Sequence, residues 1–244
     1  MITAKKSPFL QALLVRYFTR RMRGRFAALH VKGAEHVRAA EAGVPVVLYG
    51  NHPAWWDAVV PLYLSNVLFR HDAYAMMEER QLARYGFFRA VGCFSVDREN
   101  PRSAMRSLRY AADLLRGTDR VLWIYPQGEL LAVERRPLRF QGGTARLLRD
   151  LADVTAIPFA LRYEFVEQEA PEIFVAFGPP WRIRGEERVE LDMTTSILEQ
   201  LVEFEMDVQR DEVMERDFQR YDTVLRGRES INARWDRIRR ERRG

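Results

Sequence analysis

The sequence predicts an α/β fold, a central mixed β-sheet flanked by helices, with an N-terminal amphipathic helix and a C-terminal helical extension. Three observations carry this reading. Short apolar runs rich in β-branched and aromatic residues recur at 46–49, 121–125, 154–163 and 173–177, as buried strands do. Segments with helical spacing stand between them, and strand–helix alternation specifies a layered α/β domain. The 244 residues are 47% hydrophobic, enough for one packed core. The expected organisation is a membrane-interface helix over 1–30, an α/β domain over 31–185 and a helical extension with a basic tail over 186–244.

Each element has a local reason. Ser7-Pro8 opens a helix in which Phe9, Leu10, Leu13, Leu14, Tyr17 and Phe18 recur at helical spacing, with Arg16, Arg20, Arg21, Arg23 and Arg25 among and after them. Such a basic amphipathic helix suits a membrane surface, and packing on the domain's own core is the alternative. Residues 29–32 read as a short edge strand. After the strand at 46–49, residues 58–69 read as a helix interrupted near Pro61, 73–77 as a strand, 81–91 as a helix and 93–96 as a short strand. Pro101 opens a helix over 101–116, with Met105, Leu108, Ala112 and Leu115 on one face and Gly117 past its end. Gly142-Gly143 leads into a helix to about 152, a spot suited to binding an anion at a helix start. Beyond 192, Ile197, Leu201, Phe204 and Val208 form a helix face that Met214, Phe218, Tyr221 and Leu225 continue; Gly227 breaks it. The tail holds Arg234, Arg237, Arg239, Arg240, Arg242 and Arg243.

The chemical lead is His52, at the end of the first buried strand, with Asp57 five residues on. A carboxylate there can hold one imidazole nitrogen as N–H and leave the other to take a proton. The plainer reading makes His52 a hydrogen-bonded structural residue and Asp57 the N-cap of the helix at 58–60. Trp55 and Trp56 between them suit core packing or interface anchoring better than direct contact with a ligand.

Further motifs in order decide between these readings. Asn51, His52 and Asp57 form Asn-His-x-x-x-x-Asp. Gly92 to Arg98 resembles a Gly-x-x-Phe-x-x-Arg block. Tyr125-Pro126-Gln127-Gly128 resembles a Phe/Tyr-Pro-Glu-Gly block, and Ala156 to Ala160 an apolar strand with a proline. Together these resemble the glycerophospholipid acyltransferase superfamily, the bacterial 1-acylglycerol-3-phosphate acyltransferases and their relatives. The resemblance implies acyl transfer from a thioester to a hydroxyl with no acyl-enzyme. His52 is then the general base, Asp57 its support, and Arg98 holds an acceptor phosphate; spacing alone favours a salt bridge of Arg98 with Asp97 or Glu99, and the resemblance reverses that. Gln127, Gly128 and Glu129 are the remaining candidates for substrate binding. Gln127 departs from the pattern, which carries Glu, and so keeps hydrogen bonding without charge; Glu129 offers a carboxylate from another position. That departure opens a second acceptor class, a phosphate-free lipid alcohol or glycolipid. A non-catalytic lipid-surface protein is the alternative of another class.

Composition sets the remaining bounds. Net charge is +5 and the pI about 9.5. Lysine occurs only at 5, 6 and 32, so arginine, the better bidentate partner of phosphate, carries the charge. A basic balance suits membrane lipids and anionic substrates; it also suits nucleic acid, but no nucleic-acid motif is present and no such partner is expected. The one cysteine, Cys93, leaves no intramolecular disulfide and no cysteine-built zinc site, and no Gly-x-Ser-x-Gly elbow occurs. No metal or bound cofactor is expected. The acyl donor, acyl-CoA or acyl-carrier protein, is a substrate. No spanning segment or cleavable signal is expected, which places the chain in the cytoplasm, peripheral on the inner face of the membrane.

Overall fold

A computed structural model describes residues 1–185, 190–227, 235 and 239. Of the tail arginines, 234, 237, 240, 242 and 243 lie outside the described residues. Helix α1 (Pro8–Arg25) starts where the Ser7 hydroxyl accepts from Leu10 N at 3.4 Å, with Pro8 in the first turn, where a missing N–H costs no helical bond. Its apolar residues divide into two stripes. Phe18 and Met22 are buried and Leu14 and Val15 pack beside them, whereas Phe9, Leu10, Leu13 and Tyr17 face solvent. The helix therefore packs on the domain and still presents an apolar face.

Strand β1 (Ala28–Lys32), α2 (Ala34–Arg38) and β2 (Val46–Gly50) follow. The helix expected over 58–69 forms as a 3-10 turn at Trp55–Ala58, α3 (Val60–Tyr63) and a π-helical turn at Leu64–Phe69; Pro61 sits in the first turn of α3, where it is tolerated. After β3 (Ala73–Glu78) the helix expected over 81–91 is likewise divided, into α4 (Glu79–Arg84) and a 3-10 stretch at Gly86–Val91. Tyr85 leaves helical backbone between them (φ −114, ψ 53). That turn sends Phe88 inward to stack on Phe18, with centroids 6.0 Å apart. Then come β4 (Cys93–Val96), α5 (Pro101–Leu115, capped by Asn100), β5 (Val121–Ile124), α6 (Gly143–Leu151), β6 (Val154–Glu164), β7 (Glu172–Phe177), β8 (Trp181–Ile183), α7 (Leu191–Glu215) and β9 (Asp222–Arg226).

The nine strands of the described residues join one mixed sheet in the order β4-β3-β5-β2-β6-β7-β1-β9, with β8 pairing to β6. Strands β4, β3, β5, β2 and β6 run parallel, β7 is antiparallel to β6, and β1 is parallel to β7. Both faces are covered, so every residue of β2 and β7 is buried, as in parallel sheets coated by helices. One face packs α1 and α3 around Trp123, Phe159 and Phe177; the other packs α5, α6 and α7 around Leu108, Leu148 and Val202.

Two expectations are corrected here. Residues 29–32 are not an edge strand, because β9 pairs antiparallel along the outer side of β1. The helix face does not run on through Met214, Phe218, Tyr221 and Leu225. Helix α7 stops at Glu215 because Arg216 takes a left-handed conformation (φ 56). Phe218 and Tyr221 then pack on Phe174, and Leu225 is buried in β9.

Candidate active site

Strand β2 ends at Gly50, and Asn51 carries its pairing one rung further by side chain. The Asn51 amide donates to Leu161 O at 2.9 Å and accepts from Leu161 N at 2.7 Å. His52 thus leaves the sheet from a fixed point. Its backbone N–H donates to Gln127 Oε1 at 2.7 Å, and its carbonyl accepts from Leu131 N at 3.0 Å. The ring lies face to face with Tyr125, with centroids 4.3 Å apart and planes 15° apart.

Asp57 has no solvent exposure and accepts from three donors. Oδ2 takes His52 Nδ1 at 2.7 Å and Ala54 N at 2.9 Å; Oδ1 takes the Tyr163 hydroxyl at 2.5 Å. The Tyr125 hydroxyl donates to the Asp57 carbonyl at 2.6 Å. A buried carboxylate requires such partners. Burial first, and the Asp57 charge second, push both tyrosine hydroxyls far above the ordinary phenol range, so they stay protonated donors. Because a carboxylate only accepts, the bond to Asp57 takes Nδ1 of His52 as its N–H and leaves Nε2 as the ring nitrogen outside that bond. Asp57 therefore caps the turn at Ala54 and orients the histidine with the same oxygen.

His52 and Asp57 stand on the wall of a cleft of about 1350 Å³ across the carboxyl ends of the parallel strands, where open α/β sheets place their sites. On the α1 and α3 side the wall is largely apolar, with Trp55, Pro61, Tyr85, Phe88, Cys93 and Trp123. On the α5 and α6 side it is more polar, with Asn100, Gln141, Gly142, Gly143 and Thr144. Arg98, Gly128 and Glu129 all line it. Gly128 is needed as glycine: its φ is +72, and a Cβ there would stand 2.7 Å from Arg98 Nη1.

Of the residues singled out from sequence, His52, Asp57, Arg98, Gly128 and Glu129 gather at this cleft. Gln127 does not line it: it is buried, and its carbonyl is spent on the His52 N–H. Arg98 forms no salt bridge with Asp97 or Glu99; Glu99 pairs with Arg80 at 2.8 Å, and Asp97 accepts from Glu99 N. Trp56 packs edge-on against Phe26 at 5.0 Å, while Trp55 is 47% exposed beside the cleft. Burial pushes the Cys93 thiol up to about 12, which removes it as a thiolate nucleophile. Among the described residues no group of three or more His, Cys, Asp and Glu is placed to hold a metal. Asn51's rung and Tyr163 were not foreseen; a hydroxyl at the end of a buried strand was the only local sign.

Comparison with known proteins agrees with this architecture. The fold matches that of the 1-acyl-sn-glycerophosphate (LPA) acyltransferase PlsC from Thermotoga maritima, with a TM-score of 0.57 over 81% of this chain and 79% of that one, at 13% identity. No curated protein matches in sequence. A model of the Acyltransferase family matches residues 28–162, more than half of the chain and the stretch that carries His52, Asp57, Arg98 and Tyr125, so the chain belongs to the Acyltransferase family.

Proposed function

We propose that the protein transfers a fatty acyl group from a thioester, acyl-CoA or acyl-carrier protein, to a hydroxyl of a lysophospholipid or related glycerol phosphate. The observation that carries this is the His52–Asp57 pair, buried on its carboxylate side and open to a large cleft on its imidazole side. His52 Nε2 takes the acceptor hydroxyl's proton as the oxygen attacks the thioester carbonyl. The tetrahedral intermediate collapses, the C–S bond breaks, and the departing thiolate takes the proton back from His52. Asp57 holds the ring's tautomer and supports the imidazolium formed in passing. A base so placed contributes roughly 100- to 10,000-fold in rate. The apolar wall receives the acyl chain, and the guanidinium of Arg98 faces the acceptor phosphate.

Departure of Gln127 from the family's Glu no longer motivates a phosphate-free acceptor, since that side chain points at the His52 N–H and away from the cleft. We further propose work at the membrane surface, peripheral on the inner face. Phe9, Leu10, Leu13, Tyr17, Trp55 and Phe87 form exposed apolar surface, with Phe18 touching Trp55 and Phe87 beneath it, and α1 is rich in arginine. No helix among the described residues is long and apolar enough to cross a membrane.

The test is labelled acyl transfer from acyl-CoA and acyl-carrier protein to lysophosphatidic acid, other lysophospholipids and phosphate-free lipid alcohols, with His52→Ala alongside. Transfer to a phosphorylated acceptor that falls by about 100-fold or more in the variant supports the reading. Transfer that survives His52→Ala removes the general base.

A further inference from the structure

On the α5 and α6 side of the cleft lies a feature that the transfer chemistry leaves unused. Helix α6 begins at Gly143 with no side-chain cap, Gly142 being its N-cap residue. Its first intrahelical bond runs from Arg146 N to Gly142 O at 3.0 Å. The N–H groups of Gly143, Thr144 and Ala145 therefore have no acceptor within the helix. A Cβ on Gly142 or Gly143 would meet only ordinary contacts, with Thr195 Oγ1 at 3.8 Å and with the Leu108 methyl groups at 3.9 Å. Both glycines and Thr144 line the cleft.

A second observation is independent of the helix end. Thr144 is 2% exposed, and its hydroxyl has no hydrogen-bond partner among the described residues. A buried hydroxyl left unpaired destabilises a fold. Thr144 lines the cleft at the start of this uncapped helix, where an acceptor-rich group would satisfy it. Arg98, free of ion pairs among the described residues, lines the same cleft, and the backbone bond from Gln141 N to Pro126 O (2.9 Å) ties the α6 entry to the loop that carries Gly128 beneath Arg98.

We propose that the N-terminus of α6, with the Thr144 hydroxyl, binds a phosphate ester carried by one of the two substrates of the transfer. The inference rests on the proposed acyltransferase reading and assigns the residues that would hold the charge. Oriented N–H groups and the helix dipole favour a phosphate, and the hydroxyl adds a charge-assisted bond. The phosphate belongs either to the acceptor headgroup or to the pantetheine arm of the donor.

Two variants separate binding from folding. Thr144→Val removes the unpaired hydroxyl, and Gly142→Asp supplies a carboxylate that caps the helix and repels an anion. Each is expected to hold or raise the melting temperature. KM is then measured for two matched pairs: lysophosphatidic acid against monoacylglycerol, and long-chain acyl-CoA against the same acyl-N-acetylcysteamine. A rise of about tenfold or more for the phosphate-bearing member of one pair, with its partner unchanged, supports the site and names the source. KM unchanged in both pairs overturns it while leaving the transferase reading intact. If no transfer is detected at all, that reading falls, and inorganic phosphate decides the site. A phosphate-dependent thermal shift in the parent that both variants lose supports it; the same shift in all three proteins, or none in the parent, overturns it.

Discussion

Tyr163→Phe is the sharpest probe of how the candidate base is held. The change removes one oxygen and leaves the ring in place. What is lost is the bond to Asp57 Oδ1, 2.5 Å long and aimed at a side chain with no solvent exposure. Hydrogen bonds to charged groups contribute about 1.5–3 kcal/mol. For a chain of this size that corresponds to a fall in melting temperature of roughly 3–12 °C. The effect on rate is smaller than that of removing the base, because Asp57 keeps His52 Nδ1 and Ala54 N on its other oxygen. A misplacement of 1 Å can cost about 100-fold; with two anchors left, kcat should fall about tenfold with KM unchanged. A double-mutant cycle with Asp57→Asn separates a positioning role from a general one. If Tyr163 acts through the Asp57 carboxylate, its removal should have little further effect on kcat once that carboxylate is gone. Equal and additive losses in the two backgrounds, or a Tyr163→Phe protein with parental kcat and melting temperature, would refute the reasoning.

Other predictions follow from single contacts. Gln127→Leu leaves the His52 N–H without its acceptor and should lower kcat by at least about tenfold, while Gln127→Glu keeps an acceptor and should stay nearer the parent in the same assay. Gly128→Ala puts a methyl group against Arg98 at a backbone φ of +72, so KM for a phosphorylated acceptor should rise while KM for the thioester does not. Glu205 has its pKa raised, chiefly by burial, with Lys32 and His36 opposing and Glu212 adding to the shift. A raised carboxylate pKa means the folded state binds its proton more tightly, so stability falls as pH climbs from the unfolded value through the folded one. Glu205→Gln should therefore melt higher than the parent at neutral pH, with the gap closing below about pH 4; a gap independent of pH would contradict this. Phe9→Asp with Leu13→Asp should lower co-sedimentation with anionic vesicles by about tenfold or more, given the value of burying large apolar side chains. Parent and variant sedimenting alike would remove the membrane reading.

Local features were legible from the sequence, and long-range ones were not. The strand at 46–49, the break at Gly50 and the His52–Asp57 spacing all lie within a dozen residues, where periodicity and turn chemistry act. Tyr163 stands 106 residues from Asp57, and Leu161 stands 110 from Asn51. Their approach depends on β6 lying beside β2, which no local pattern encodes. The Tyr-Pro-Gln-Gly block points to Gln127 as a ligand residue, but its side chain turns inward to meet the His52 N–H. The run Met214, Phe218, Tyr221, Leu225 was misread for a different reason. Steps of four, three and four fit a helix, yet the left-handed turn at Arg216 ends the helix and delivers Leu225 to a strand beside β1.

The same strand order explains why the pair can be held so tightly on loop residues. Strands β5, β2 and β6 are neighbours and parallel, so their carboxyl ends emerge side by side. β2 delivers His52, β5 delivers Tyr125 and Gln127, and β6 delivers Tyr163, all onto Asp57 or the histidine it holds. The Asn51 rung to Leu161 locks β2 to β6 just before the base leaves the sheet. Side chains alternate along a strand, so a one-residue slip of β6 would turn Tyr163 to the opposite face and break that rung as well. The geometry of the site is thus set by sheet register, and the register is set by buried runs such as Val46–Tyr49 and Val154–Leu161. Core packing and the placement of the proposed general base are here the same constraint, and substitutions in β6 that loosen its pairing with β2 should act on the His52–Asp57 pair through Tyr163.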